Sequence, residues 1–275
     1  MVGGQKMQGF SLVELSIVLV ILGLLIGGIL TGQSLIKAAE LRSVTIDLQK
    51  YQTAITSFRD KYLQLPGDMN NAVRFWSAQA GGTVDGADAT CVALTVGSTD
   101  QTTCNGNGNG QIAEAVGVHY EAFRAWQHLA NAGMIEGRYN GVSNGAAGTM
   151  YESDANAPRS KIGSGHFMVR YIDAAFSTPD WYVVSKRGHL IAVGSSRSPL
   201  GGATQGAAGI LFRPEEAWNI DTKMDDGLPA QGGMHTFKTT GSYNTGCTTT
   251  DVAATAVYNL TNSSVVCHLY MLLGQ

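Results

Sequence analysis

Charge is scarce in this sequence. Asp, Glu, Lys and Arg make up 14% of the 275 residues, and the formal net charge is −3. Proteins that bind nucleic acids normally carry a basic surplus or a basic patch that recognises phosphate. The low charge therefore argues against nucleic-acid binding as the main function, and we expect no nucleic-acid partner.

The sequence also lacks the common catalytic motifs. No two histidines are four residues apart, and Ser195 lies in Gly-Ser-Ser-Arg rather than in Gly-x-Ser-x-Gly. The Gly-x-Gly-x-Gly run that ends at Gly110 has no Walker lysine after it, so a phosphate-binding loop is not expected. The sequence thus predicts that the chain is not an enzyme. An exported enzyme held in the membrane by a signal anchor is therefore the least favoured functional hypothesis.

Between Leu12 and Leu30 the only ionisable residue is Glu14. About 20 apolar residues, rising 1.5 Å each in a helix, cover a bilayer core of roughly 30 Å. This segment is therefore predicted to span a membrane. Lys6 favours a cytoplasmic N-terminus, so everything beyond Leu30 is predicted to be exported.

A carboxylate in such a segment requires a partner, because a charge near the membrane centre costs roughly 2.5 to 3.5 kcal/mol, and less near a helix end. If the chain is cut between Gly9 and Phe10, the new α-amine, with a reference pKa of about 7.7, is mostly cationic. The amine of one chain can then meet Glu14 of the next, and both charges are neutralised in lipid. This pairing would favour polymerisation.

These residues carry a resemblance to a known family. Gly9, Phe10 and Glu14, with a short leader that contains Lys6, resemble the N-terminus of type IV pilins and type II secretion pseudopilins. The resemblance implies that a prepilin peptidase cleaves after Gly9 and N-methylates Phe10, and that Glu14 sets the register between subunits. An ordinary signal anchor is the alternative. It is less favoured because a secretory signal has its cleavage site after the apolar region.

The resemblance implies a structural subunit of a pilus or a secretion pseudopilus. We expect a minor or specialised subunit, because the mature chain is longer than a common major pilin. Its expected partners are other pilin or pseudopilin subunits, the peptidase and the inner-membrane assembly platform. The chain is expected to cross the bacterial inner membrane once, with its head in the periplasm, before it enters a filament. The alternative is a membrane-anchored binding module or adhesin that does not polymerise.

The expected fold is α+β and pilin-like, with a long helical spine packed against a globular head that contains an antiparallel sheet. Residues 1–9 form the leader, 10–32 the membrane half of the spine, 33–65 its exported half and 66–275 the head. The exported half is predicted from apolar residues spaced by three and four, which share one helical face: Leu41, Val44, Leu48, Tyr51, Ile55, Phe58 and Tyr62.

Within the head, pattern and composition predict further elements. Helices are expected after an Asp68 cap through Trp76, at about Ala113 to Ala132 and at about Pro214 to Met224. Strands are expected where β-branched and aromatic residues gather, at His166–Ile172, Trp181–Ser185, His189–Val193, Ala256–Tyr258 and Val265–Leu272.

All four cysteines lie in the part that is predicted to be exported. An even number of cysteines in an oxidising compartment suggests two disulfides, and the spacing favours Cys91–Cys104 and Cys247–Cys267 among three possible connectivities. A zinc site is the alternative, but no Cys-x-x-Cys and no nearby Cys/His pair is present.

Two groups of oxygen-bearing residues are candidate calcium ligands. Asn105, Asn107 and Asn109 have the spacing that opens a calcium loop, although all three are neutral and Val116 stands where an acid is expected. The alternative, which we favour, is an Asn-Gly turn with φ > 0. Asp221, Asp225 and Asp226 form the second group, for which an acidic helix end followed by a turn is the favoured alternative. We therefore expect no obligatory cofactor, with calcium as the one candidate.

Overall fold

The computed structural model describes residues 11–79, 100–112, 120–142, 151, 154–172, 188–195, 209–236 and 246–274. These residues belong to two compact units, Met1–Arg42 and Ser43–Gln275. The cleavage junction of Gly9 and Phe10 and the predicted strand Trp181–Ser185 lie outside the described residues.

Helix α1 runs from Leu12 to Tyr62 and contains 51 residues. Its part within the first unit holds the apolar run that the sequence analysis assigned to a membrane. Thr31 donates from its hydroxyl to the backbone oxygen of Gly27 at 2.9 Å, which satisfies this polar side chain within the helix. The predicted spine is therefore a continuous helix over all its described residues.

In the second unit, the predicted stripe on α1 is buried from Val44 to Phe58, and Tyr62 at its end is half-buried. Val44, Leu48 and Phe58 have no exposed surface. The ring of Tyr51 contacts Trp126 and Phe167, with centroids 5.0 and 4.9 Å apart in edge-on geometry. This part of α1 thus packs against helix α3 (Tyr120–Asn131) and strand β1 (Gly165–Ile172).

Within the described residues, four strands form one antiparallel sheet in the order β1-β2-β4-β3. The others are β2 (Gly188–Ser195), β3 (Met234–His235) and β4 (Leu269–Leu272). The register of β1 with β2 runs from Gly165 opposite Ser195 to Ile172 opposite Gly188, and β4 lies on the other side of β2. The predicted α+β class, a long helix packed with an antiparallel sheet, is confirmed.

The remaining two helices, α3 and α4, have residues at their ends that favour helix termination or initiation. Helix α4 runs from Pro214 to Met224, as predicted, and Glu216 accepts the backbone N–H of Arg213 at 2.9 Å. Helix α3 ends at Asn131, and Gly133, two residues further along, has φ +70°. The N–H of Met134 donates to Leu129 O and that of Gly133 to Ala130 O, which is the Schellman pattern that glycine permits.

The predicted Asp68 cap is wrong. Helix α2 (Val73–Trp76) begins after Ala72 and has no side-chain cap. Asp68 is 3% exposed, and its two carboxylate oxygens accept the backbone N–H groups of Asn109 and Gly110 at 3.0 and 2.8 Å. A buried carboxylate needs hydrogen-bond donors, and this loop supplies two of them to Asp68.

The predictions for three strand segments also differ from the structure, and one helix start is not tested. The described part of α3 begins at Tyr120, and its predicted first turns lie outside the described residues. Strand β4 is shorter than predicted, and the predicted strand at Ala256–Tyr258 is a single bridge between Thr248 and Tyr258. Strand β3 was not predicted, because a two-residue strand has no periodicity to detect.

The predicted cysteine pair Cys247–Cys267 is a disulfide, with Cα atoms 5.2 Å apart. Cys104 is also disulfide-bonded and almost fully buried. Its predicted partner, Cys91, lies outside the described residues.

Candidate functional site

The first turn of α1 places Glu14 next to the helix start. The N–H of Ser11 donates to Glu14 Oε2 at 2.8 Å, and the N–H of Val13 donates to Ser11 Oγ at 3.2 Å. These two bonds form a capping box, in which two backbone donors at a helix start are satisfied by side chains. This capping role was not predicted, although the Ser-x-x-Glu spacing of Ser11 and Glu14 signals it.

The apolar side chains behind Glu14 are exposed. From Leu12 to Ile36, every large aliphatic side chain has between 47% and 87% of its surface accessible. Among the described residues, Leu12–Tyr62 is the one helix long and apolar enough to cross a membrane, judged by length and composition. Exposed apolar surface of this extent marks a segment that is covered by lipid or by another protein.

This geometry allows one kind of chemistry at Glu14. The carboxylate accepts one backbone bond from Ser11, and it has further lone pairs that can receive a cation. An α-amine placed beside it would form a charge-assisted hydrogen bond, which is about twice as strong as a neutral one. The site can therefore bind a protonated amine in apolar surroundings.

The side-chain oxygens of the three asparagines that are candidate calcium ligands accept backbone N–H groups. Asn105 Oδ1 accepts the N–H of Val73 at 3.0 Å, while Asn107 and Asn109 each accept an N–H two residues further along at 2.9 and 2.8 Å. These are turns closed by side-chain oxygens. Gly108 and Gly110 have φ of +70° and +82°, as the turn interpretation predicts.

The same loop offers its backbone donors to an anion. Besides the two bonds to the carboxylate of Asp68, the N–H of Gly108 donates to Asp68 O at 2.9 Å, and that of Asn107 donates to Glu121 Oε1 at 3.1 Å. A loop that directs N–H groups at two carboxyl groups has the polarity of an anion site. In the structure this loop is a turn bound to carboxylates, the arrangement that the favoured Asn-Gly turn interpretation describes, and calcium at Asn105, Asn107 and Asn109 stays an untested candidate.

The structure brings the second group of candidate calcium ligands close together in space. Oxygen atoms of Asp221, Asp225 and Asp226 all lie within 4.8 Å of one another. Tyr258 donates its hydroxyl to Asp221 Oδ2 at 2.8 Å, and Met234 donates its N–H to Asp225 Oδ2 at 3.0 Å. Carboxylate oxygens are the ligands that calcium prefers, and this group is the one set in the described residues with that geometry.

Asp221 is the most perturbed member of the group. Burial raises its pKa to about 7, the bonds from Tyr258 and Gly227 oppose this shift, and the charges of Asp226 and Asp225 add to it. Asp221 therefore exists in both protonation states near neutral pH. A divalent cation at the cluster would favour the deprotonated state.

The similarity of this chain to known proteins is confined to its N-terminal segment. Residues 4–30 match the family model of the prokaryotic N-terminal methylation motif. No curated protein and no solved structure matches the chain. The matched range holds the Gly9–Phe10 junction, Glu14 and most of the exposed apolar segment of α1. The chain therefore carries the sequence signature of type IV pilins and pseudopilins, and its apolar N-terminal helix fits a membrane-anchored member of that group.

Proposed function

We propose that the chain is a structural subunit of a type IV pilus or a type II secretion pseudopilus. The prepilin peptidase cuts between Gly9 and Phe10 and methylates Phe10, and the assembly platform of the inner membrane moves the mature chain into a fibre. The observation that carries this proposal is the methylation motif at residues 4–30, directly ahead of the exposed apolar helix. The family with this motif consists of structural subunits, so no enzymatic activity is proposed.

The subunit is proposed to be a minor or specialised one. Removal of the leader from a chain of 275 residues leaves a subunit longer than a common major pilin. Export of the head is supported by the disulfide between Cys247 and Cys267, since such bonds persist in oxidising compartments.

The mature N-terminus tests this proposal directly. Mass spectrometry of the chain purified from its own membrane or fibre is expected to find a single form that begins at N-methylated Phe10. A Gly9→Val variant should retain the leader, because it places a branched side chain directly before the bond that the peptidase cuts. Gly4→Ala, further from that bond, should be processed normally. A wild-type chain that still begins at Met1 would remove the pilin interpretation.

A membrane-anchored adhesin that never polymerises is the alternative. It shares the anchor but makes no use of the cation-binding capacity of Glu14. The two proposals therefore differ in the effect of removing this carboxylate.

Calcium binding by Asp221, Asp225 and Asp226 is a second candidate function, favoured by the convergence of their oxygen atoms. Millimolar calcium is expected to raise the midpoint of thermal unfolding at pH 8 and to raise it less at pH 6. The difference arises because burial raises the pKa of Asp221 to about 7, so that a proton competes with the cation at pH 6.

Asp226→Asn should abolish the calcium response, and Glu215→Gln, an exposed change on the same helix, should preserve it. No shift at pH 8, or an equal shift in Asp226→Asn, would show that the cluster is a structural helix end.

A further inference from the structure

The guanidinium of Arg124 lies inside the second unit without an acidic partner among the described residues. Arg124 belongs to α3 and is only 2% exposed. Burial lowers its pKa to about 10, so the side chain is still a cation at neutral pH. No carboxylate in the described part of the chain forms an ion pair with it or shifts that pKa. A buried cation without a counter-charge is unfavourable, so this side chain is a candidate for binding an anion.

The hydrogen bonds of Arg124 use one side of its guanidinium. Nη1 donates to Gln79 Oε1 at 2.8 Å and to Gln127 Oε1 at 2.7 Å. Nε and Nη2 have no hydrogen-bond partner among the residues that the structure describes. These two nitrogens share one edge of the planar group, and their N–H bonds along that edge are parallel. A pair of parallel N–H donors is the fork through which arginine binds both oxygens of a carboxylate.

Neighbouring groups hold the guanidinium in this orientation. Gln127 Oε1 also accepts the hydroxyl of Thr103 at 2.6 Å, and Gln127 Nε2 donates to Asn140 O at 3.3 Å. The backbone at Gly141 approaches so closely that a Cβ there would lie 2.7 Å from Arg124 Nη1. The Nε–Nη2 edge is therefore positioned before any ligand binds, which reduces the entropy that binding costs.

The charge of the surroundings favours an anion that carries one charge. The described side chains of Gln79, Thr103 and Gln127 are buried and uncharged. His128 is neutral at pH 7, because burial and the charge of Arg124 lower its pKa to about 3. A monovalent anion would neutralise the single positive charge, whereas a divalent one such as sulfate would leave a buried negative charge. The burial of Arg124 also requires a ligand of few atoms.

We propose that the Nε–Nη2 edge of Arg124 binds a small monovalent carboxylate of the size of formate or acetate. Each oxygen of the anion accepts one N–H of the fork, and the ion pair stabilises the second unit. The proposed site is separate from Glu14 and from the Asp221 cluster, and it does not depend on the proposed fibre function.

Formate added to the full chain in detergent tests this proposal. The chain is first dialysed against sodium chloride, and its urea unfolding is then compared in sodium formate and in sodium chloride at equal ionic strength and pH 7. Formate is expected to raise the unfolding midpoint. With a dissociation constant of about 1 mM, about 100 mM formate would raise the folding equilibrium constant about 100-fold. Equilibrium dialysis with radiolabelled formate should find a single bound ion per chain.

Substitutions at arginine locate the bound anion. Arg124→Gln removes the charge and the fork, and it should abolish both the formate response and the bound formate. The matched control Arg74→Gln, at an exposed position of α2, should retain both. Arg124→Lys keeps the charge without the parallel donors, so it should bind formate at least tenfold more weakly. This conservative variant replaces Arg124→Gln if the latter does not fold.

Two results would overturn the proposal. If the wild-type chain binds no formate and unfolds equally in the two salts, the charge of Arg124 is neutralised within the chain itself. If Arg124→Gln or Arg124→Lys responds to formate as the wild type does, the anion binds elsewhere. Dialysis of the wild-type chain decides the question if neither Arg124 variant folds.

Discussion

Replacing Glu14 with alanine is expected to abolish incorporation of the chain into a fibre while membrane insertion persists. Insertion should become easier, since a carboxylate in an apolar helix costs roughly 2.5 to 3.5 kcal/mol near the bilayer centre. Assembly should fail because the α-amine of a neighbouring Phe10 then lies in apolar surroundings without a counter-charge. Removing one partner of a buried ion pair costs about 3 to 5 kcal/mol, which is roughly 100-fold or more in affinity. The amount of chain in sheared fibres, relative to membranes, measures the effect.

Glu14→Gln separates the two roles of this side chain. Glutamine retains the oxygen that accepts the N–H of Ser11, so the capping box survives without the charge. It is therefore expected to assemble as poorly as Glu14→Ala. Glu40→Ala, outside the apolar segment, should assemble normally. If Glu14→Gln assembles like the wild type, helix capping accounts for Glu14 and the intermolecular pairing is wrong. If Glu14→Ala also assembles, neither role of Glu14 is needed for the fibre. Only a wild-type chain that is absent from fibres would favour the adhesin alternative.

Elements with a strong local signal could be predicted from the sequence. Helix α4 carries Pro214 at its start and two acids in its first turn, and its bounds match the prediction. The buried stripe of α1 follows from periodicity alone, because residues spaced by three and four share a face. Gly133 ends α3 with positive φ, as glycine after a helix indicates.

Contacts between distant parts of the chain could not be predicted in the same way. Asp68 has the local appearance of a helix cap, but its partners are the N–H groups of Asn109 and Gly110, about 40 residues away. The same two bonds make the asparagine loop a binding site for the Asp68 carboxylate. Spacing indicates which oxygens a loop carries, whereas the fold determines whether they face a cation or a backbone donor.

The candidate sites also divide into those formed by residues close in sequence, which could be predicted, and those formed by distant residues, which could not. The N-terminal motif is local, so Glu14 and the apolar run could be identified from residue order, and the family match covers this range. The cluster of Asp221, Asp225 and Asp226 is also local, since one helix end carries all three residues. The pocket lined by Lys50 and Thr53 of α1 together with Met134 could not be found this way, because Met134 reaches it from a segment remote in sequence.

His128 should make the head sensitive to acid. Its ring has no exposed surface; Nδ1 accepts the N–H of Gly67 at 3.0 Å, so Nε2 carries the proton and lies 3.3 Å from Cys104 O. Burial lowers its pKa to about 3, and the charge of Arg124 adds to this shift. Burial also lowers the pKa of His166 to about 4. Both rings are therefore neutral in the folded head at pH 5.

The sign of the pH dependence follows from these values. Between pH 6.5 and about 4 the unfolded chain binds protons at His128 and His166 that the folded chain excludes. The stability contributed by these rings is complete above pH 6.5 and is lost as the pH falls. At 1.36 kcal/mol per pH unit, each ring loses about 2 to 3 kcal/mol by pH 4.5. Asp221, whose pKa burial raises to about 7, changes stability in the opposite direction over the same range and offsets part of this loss.

Comparison of variants isolates the contribution of His128. His128→Gln retains a polar group near Nε2 and removes the titration, so the free energy of unfolding should fall less between pH 7 and pH 4.5 than in the wild type, by about 2 to 3 kcal/mol. At pH 7 the variant should be less stable by about 1 to 3 kcal/mol, because the N–H of Gly67 loses its acceptor. Urea unfolding of the full chain in detergent, followed by tryptophan fluorescence, measures both quantities. One of the four tryptophans, Trp76, has its ring centroid 5.4 Å from that of His128. Equal pH dependence in the two chains would mean that His128 does not titrate on unfolding. The acid sensitivity would then have to arise elsewhere, for example at His166 or at His189, whose pKa burial also lowers to about 4.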